Sequence, residues 1–175
     1  MKMLSPLNEL NLNLGFHFSE TLNMPLAKPH WIYISLSHKC NFNCQMCGVR
    51  KILKEYELDL DVLKRTIKEV ASWDSDCVIM LTGGEPFLRK DIFDIISVMD
   101  PENTIFALVT NSLNLNASYL ADLKKAGVET IHFSLDSTDE ATNDQFRGTH
   151  GHFKKVIESI EEAKKLNMTI CLSTI

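Results

Sequence analysis

Five short apolar runs, separated by longer amphipathic stretches, constrain this chain more than any other feature of its sequence. WIYISLS (31–37), CVIMLT (77–82), TIFALVT (104–110), TIHFSLD (130–136) and TICLSTI (169–175) are rich in β-branched and aromatic residues, and all five read as buried strands. Helical periods lie between them. Leu60, Leu63, Ile67 and Val70 recur at helical spacing, with Asp59 or Asp61 placed to cap the start. Residues 91–99 carry Ile92, Ile95, Ile96 and Met99 on one face, and 117–126 follow a capping Asn116 and stop at Gly127. Phe153, Val156, Ile157, Ile160 and Ala163 mark a last helix that ends before Asn167. Strands alternating with helices cannot be joined as hairpins, so they require crossovers and build a parallel sheet. The expected class is α/β. Because the last strand reaches Ile175, where a parallel sheet would leave an apolar edge unpaired, the expectation is a barrel left incomplete after its fifth strand.

Residues 1–30 show no clear helical period, contain Pro25 and Pro29, and are expected to be an irregular N-terminal extension packed on the main domain of residues 31–175. A net charge of −5 without a Lys or Arg run gives no footprint for nucleic acid or an anionic membrane. No window approaches the run of about 20 apolar residues that spans a bilayer, and the N-terminus lacks a secretory core, so a cytoplasmic location is expected. Five cysteines are an odd number, and three fall within eight residues, which favours metal or thiol chemistry over a disulfide framework.

Those three, Cys40, Cys44 and Cys47, stand in SHKCNFNCQMCGVR, directly after the first strand, at the end of a parallel sheet where sites are built. The C-x3-C-x2-C spacing supplies three thiolates, whereas ordinary zinc and four-thiolate iron-sulfur sites need a fourth protein ligand. His38 could complete a zinc site. Cys77 and Cys171 sit in apolar runs and read as core residues.

With GGEP at 83–86, TNS at 110–112 and SLDS at 134–137 in order after successive strands, the chain from residue 31 onward resembles the radical S-adenosylmethionine (radical SAM) superfamily. The stretch TNDQFRG (142–148) resembles the loop after the fourth strand in the branch containing molybdenum-cofactor biosynthesis proteins and SPASM-type maturases. The resemblance implies a partial (β/α)6 TIM-like barrel. It also implies that Cys40, Cys44 and Cys47 hold a 4Fe-4S cluster whose open iron binds the methionine moiety of S-adenosylmethionine.

The cofactor wall follows from the same resemblance. Gly83, Gly84 and Glu85 would meet the amino group through backbone oxygens, with Pro86 fixing the exit of the turn. Met46 would contact adenine at a place where many relatives carry an aromatic ring. Alternation puts His132, Ser134 and Asp136 on one face of the fourth strand, where bound carboxylate and ribose would satisfy Ser134 and Asp136, and Asn111 is similarly placed after the third. Plainer readings exist: Glu85 or Asp136 as a helix cap, and Arg147 in a surface pair with Asp144 rather than meeting an acidic group. No catalytic acid or base is assigned.

The function implied is reductive cleavage of S-adenosylmethionine to a 5′-deoxyadenosyl radical that takes hydrogen from a substrate, small molecule or peptide, with a flavodoxin or ferredoxin as electron donor. The alternative is a scaffold that retains a metal-binding loop without catalysis.

Overall fold

The computed structural model describes residues 6–24, 28–29, 31–49, 56–73, 77–99 and 104–175. Its centre is a five-stranded, wholly parallel sheet: β1 (Trp31–Ser35), β2 (Cys77–Thr82), β3 (Thr104–Thr110), β4 (Thr130–Ser134) and β5 (Thr169–Ser173). Spatial order equals chain order, β1-β2-β3-β4-β5. A doubly wound sheet reverses direction at a switch point, whereas consecutive order is the winding of a barrel. Pro25 lies outside the described residues.

Among the described residues, the bounded helices are α1 (Pro6–Leu22), α2 (Leu60–Ala71), α3 (Ile92–Ile96), α4 (Ala117–Lys125), α5 (Glu140–Arg147) and α6 (His152–Lys165), with a 3-10 turn at Pro86–Leu88. Ile34, Ile79, Leu81, Phe106, Leu108, Ile131 and Phe133 alternate along the strands and form one core with the apolar stripes of α2, α3, α4 and α6. Asp59 caps α2 by accepting from the amides of Asp61 and Val62, and Asn116 caps α4 through the Tyr119 amide, as their sequence positions imply.

Four expectations need correction. The segment 6–22 is a helix, not an irregular stretch; its alternating Leu and Asn hide the helical period, and Leu14, Phe16, Phe18 and Leu22 remain exposed. Residues 140–147 form α5 rather than a loop, because Asp139 accepts from the Thr142 amide at its start and Gly148, with φ of 65°, ends it left-handed. The outer strands are not buried as the inner ones are: Trp31 and Tyr33 on β1 and Leu172 on β5 are exposed, since each edge strand has one neighbour only. Cys171, on that β5 edge, is therefore half-buried, while Cys77 is a core residue as read.

The α5–α6 corner is stabilised in an unusual way. Gly151 at the start of α6 has no side chain to cap it, and the buried Asp144 of α5 accepts from the amides of Gly151 and Phe153 (2.8 Å) in its place. Burial sets the scale for substitutions. Phe133→Ala is expected to destabilise the chain by about 3–5 kcal/mol through the cavity it leaves, and Phe18→Ala by less than about 0.5 kcal/mol, as read from urea midpoints.

Candidate cofactor site

β1 and β2 do not stop pairing where their strands end. Leu36 N donates to Thr82 O (2.9 Å), Gly84 N to Ser37 O (2.7 Å) and Glu85 N to Lys39 O (2.8 Å), so residues 36–39 run beside 82–85 as far as the first cysteine. This approach excludes side chains. A Cβ on Gly84 would lie 2.0 Å from Lys39 O, and one on Gly83, whose φ is 124°, 2.5 Å from Ser37 O. The base of the loop is held by Arg89, which is buried; its guanidinium grips Asp91 (2.9 and 2.7 Å) and donates to Leu36 O (3.0 Å) and Leu58 O (2.8 Å).

The far side of the loop docks on α5. Gln45 N donates to Phe146 O (2.9 Å), and Gly148 approaches Asn43 so closely that a Cβ would meet Asn43 O at 2.4 Å. Phe42, at the middle of the loop, is buried with its ring edge-on to His152, 5.1 Å between centroids.

Clamped on both sides, the loop walls a cavity of about 230 Å³ at the C-terminal end of the sheet. Cys40, Cys44 and Cys47 line it together with Met46. Gly83, Gly84, Glu85, Asn111 and Ser134 complete the wall from three strands. The three thiols are spread around that wall: among the described residues, no three His, Cys, Asp or Glu side chains gather closely enough to hold a single metal ion. His38 is not part of the wall; its ring lies 5.3 Å from that of Tyr56.

Two expected site residues are placed elsewhere. Pro86 is buried at the head of the 3-10 turn and does not line the cavity, so its contribution is to direct the chain away from Glu85. Asp136 does not line it either, nor does it cap α5, which is the work of Asp139. Its carboxylate is taken by Arg147 (Nε–Oδ2 2.6 Å) and by the Ile175 amide (3.2 Å). Arg147 is accordingly a buried partner of Asp136 lining the cavity, not a surface partner of Asp144.

Glu85 is the most constrained charge here. Its carboxylate accepts from Thr110 Oγ1 (2.9 Å), Asn111 N (2.8 Å) and Phe87 N (3.3 Å), so it both caps the 3-10 turn and ties β2 to β3. Burial nevertheless pushes its pKa up to about 7, with those hydrogen bonds opposing. Burial also raises the thiol of Cys40, against the Phe42 amide, and that of Cys44, against Arg147. Thiols held protonated in this way ionise when a metal centre binds. Asn111 links the wall to the loop through Asn41 Oδ1 (2.6 Å) and reaches Cys40 Sγ at 3.9 Å.

Sequence reasoning missed Phe42, Arg89, Asn143 and His152. Asn143, fully buried, accepts from the Asp136 amide (3.1 Å) and donates to His152 Nδ1 (2.9 Å). Only the polar residues crowded into TNDQFRGTHGHF hinted at such a network.

Three thiols around one cavity at the C-terminal end of a barrel-type parallel sheet mark a domain built for a metallocofactor. The family model described as the radical SAM superfamily matches residues 34–175, and the chain belongs to that superfamily, as its motifs indicated. The family's cofactors are a 4Fe-4S cluster and S-adenosylmethionine, and the donor set fits both: three thiols for the cluster and a glycine-lined backbone edge beside them. The chain is 32% identical over 148 residues to an AdoMet-dependent heme synthase of Methanosarcina barkeri, covering 83% of this chain and 42% of the relative. It is 32% identical over 154 residues to a GTP 3′,8-cyclase of Aliarcobacter butzleri, covering 85% of this chain and 47% of the relative. The chain thus spans less than half the length of these curated relatives. In fold it is similar to Streptococcus suis SuiB bound to S-adenosylmethionine, with a TM-score of 0.69 and 18% identity over 98% of this chain and 40% of that one.

Burial sets a pH dependence on the wall. His152 is held near pKa 4, below its usual 6.5, by burial first and Arg147 second. A histidine depressed on folding contributes stability that is complete above 6.5 and lost as pH falls toward 4. His152→Gln is therefore expected to flatten that part of the acid limb, measured as urea midpoints of the cofactor-free chain at successive pH values; an unchanged limb would contradict it.

Proposed function

We propose that this chain is the S-adenosylmethionine-cleaving core of a radical enzyme, with Cys40, Cys44 and Cys47 as the ligands of the 4Fe-4S cluster. The observation that carries this reading is that all three thiols share one cavity with the backbone of Gly83, Gly84 and Glu85. Held by these thiols, the cluster would supply the single-electron reduction by which bound S-adenosylmethionine is cleaved to methionine and a 5′-deoxyadenosyl radical, the species that would take hydrogen from substrate.

The chain's own part is to hold, orient and exclude water. Gly83 and Gly84, whose missing side chains let the loop pack against them, offer their carbonyls to a ligand amino group in the cavity. Met46 offers a flexible thioether surface to adenine. Ser134, buried on the inner face of β4, donates to the carboxylate or ribose, and Arg147, which lines the cavity, meets the same carboxylate. Asp136 acts on the cofactor only through Arg147. Glu85 keeps the β2 turn and Asn111 in register with the loop. Phe42, with His152 behind it, closes the back of the site.

The electron comes from a flavodoxin or ferredoxin, and the substrate is a small molecule or a peptide. A reducing, cytoplasmic setting suits three thiols left unpaired with one another. Among the described residues, no helix is long and apolar enough to cross a membrane.

Anaerobic reconstitution with iron and sulfide is expected to give about four of each per chain, and dithionite reduction with S-adenosylmethionine to release 5′-deoxyadenosine. Cys44→Ala is expected to abolish both. Stoichiometric zinc without sulfide would overturn the reading in favour of a non-catalytic scaffold.

A further inference from the structure

We infer that the buried Asp136–Arg147 pair sets the reduction potential of the iron-sulfur cluster held by Cys44, Arg147 stabilising the reduced state and Asp136 moderating it. The inference rests on the proposed ligation by Cys44 and goes beyond it. Both residues are positioning and electrostatic groups here, and neither is assigned a catalytic step.

The pair is placed by several independent contacts. The Asp136 and Arg147 side chains are 4% and 11% exposed and meet at 2.6 Å. Asp136 is fixed from behind: its amide donates to the fully buried Asn143, and its second oxygen accepts from the Ile175 amide. Arg147 lines the cavity and Asp136 does not, so the guanidinium stands between the carboxylate and the site. The Gln45–Phe146 backbone hydrogen bond (2.9 Å) joins the neighbour of Cys44 to the neighbour of Arg147. Arg147 and Cys44 line the same cavity, and the Arg147 charge opposes the effect of burial on the Cys44 thiol.

The physical consequence has a sign. Reduction adds one negative charge to the cluster, so a nearby cation raises the potential. Because the pair itself is buried, its field on the half-buried cysteines is screened less than that of surface charges. A carboxylate at 2.6 Å from the cation removes part of that field without displacing the guanidinium. Deleting the cation must therefore lower the potential, and neutralising the carboxylate must raise it. A group that merely supports the fold would not move the potential in opposite directions from its two halves. Glu85, the other buried carboxylate of the site, acts on Cys40 and is common to all variants.

The test is mediated redox poising of the reconstituted full chain without S-adenosylmethionine, followed by electron paramagnetic resonance of the reduced cluster. Arg147→Gln is expected to lower the reduced-to-oxidised ratio at a fixed potential about tenfold, equivalent to about 59 mV for a one-electron couple. Asp136→Asn is expected to raise it, and Arg147→Lys, which keeps the charge, to stay nearer the parent than Arg147→Gln. Shifts of the same sign, or none, in variants carrying a full cluster would overturn the inference. Should Arg147→Gln fail to hold its cluster, Asp136→Asn decides alone: a rise supports the inference, and a fall or no change refutes it. Failure of the parent chain to assemble any cluster would instead refute the ligation by Cys44 and leave the two failures distinguishable.

Discussion

The site depends on the backbone ladder that carries β1 and β2 past their formal ends. Three hydrogen bonds, from Leu36, Gly84 and Glu85 to Thr82, Ser37 and Lys39, bring the chain entering the cysteine loop into strand-like contact with the glycine turn. The contact is closer than a Cβ would allow at Gly83 or Gly84. Those glycines therefore let the loop close on the sheet, while both residues line the cavity beside it.

The ladder secures one side of the loop, and a buried polar network secures the other. Asn143, Asp144 and Arg147 of α5, His152 at the start of α6 and Asp136 just after β4 are all buried or nearly so. Burying so many polar groups is costly unless each finds a partner, and here most do. Among the described residues the Nε2 of His152, Oγ of Ser112, Oδ2 of Asp136 and Nε of Arg147 are buried without a hydrogen bond, the last two facing each other as an ion pair. Such a wall is stiff, because no member can rotate without leaving another unsatisfied. Stiffness is what a cofactor site needs when the protein's task is to orient a reactive group rather than to react itself.

Much of this was legible beforehand. The five strands and the helices α2, α4 and α6 follow from periodicity and from capping residues such as Asp59 and Asn116, which act locally. The three cysteines and the glycine pair were legible because their chemistry is scarce and their spacing short. The helix at 6–22 was not, since its apolar residues do not form the single stripe that periodicity detects. Nor was α5, whose polar residues point inward to one another and so mimic the composition of a loop.

Asp136 shows where sequence reasoning ends. Strand alternation predicted it on the side of Ser134, but β4 stops at Ser134, Leu135 still donates to Ser173 of β5, and the Asp136 amide donates to Asn143 of α5. Whether its carboxylate meets a ligand or an arginine eleven residues on depends on how α5 packs, which no local pattern encodes. By itself the sequence determined the order of elements, the face of each strand and the identity of the thiols, because these depend on neighbours along the chain. The tertiary structure alone decided which charges pair, which thiol lies beside Arg147 and what closes behind Phe42, because these depend on contacts across about a hundred residues, such as that between Gln45 and Phe146.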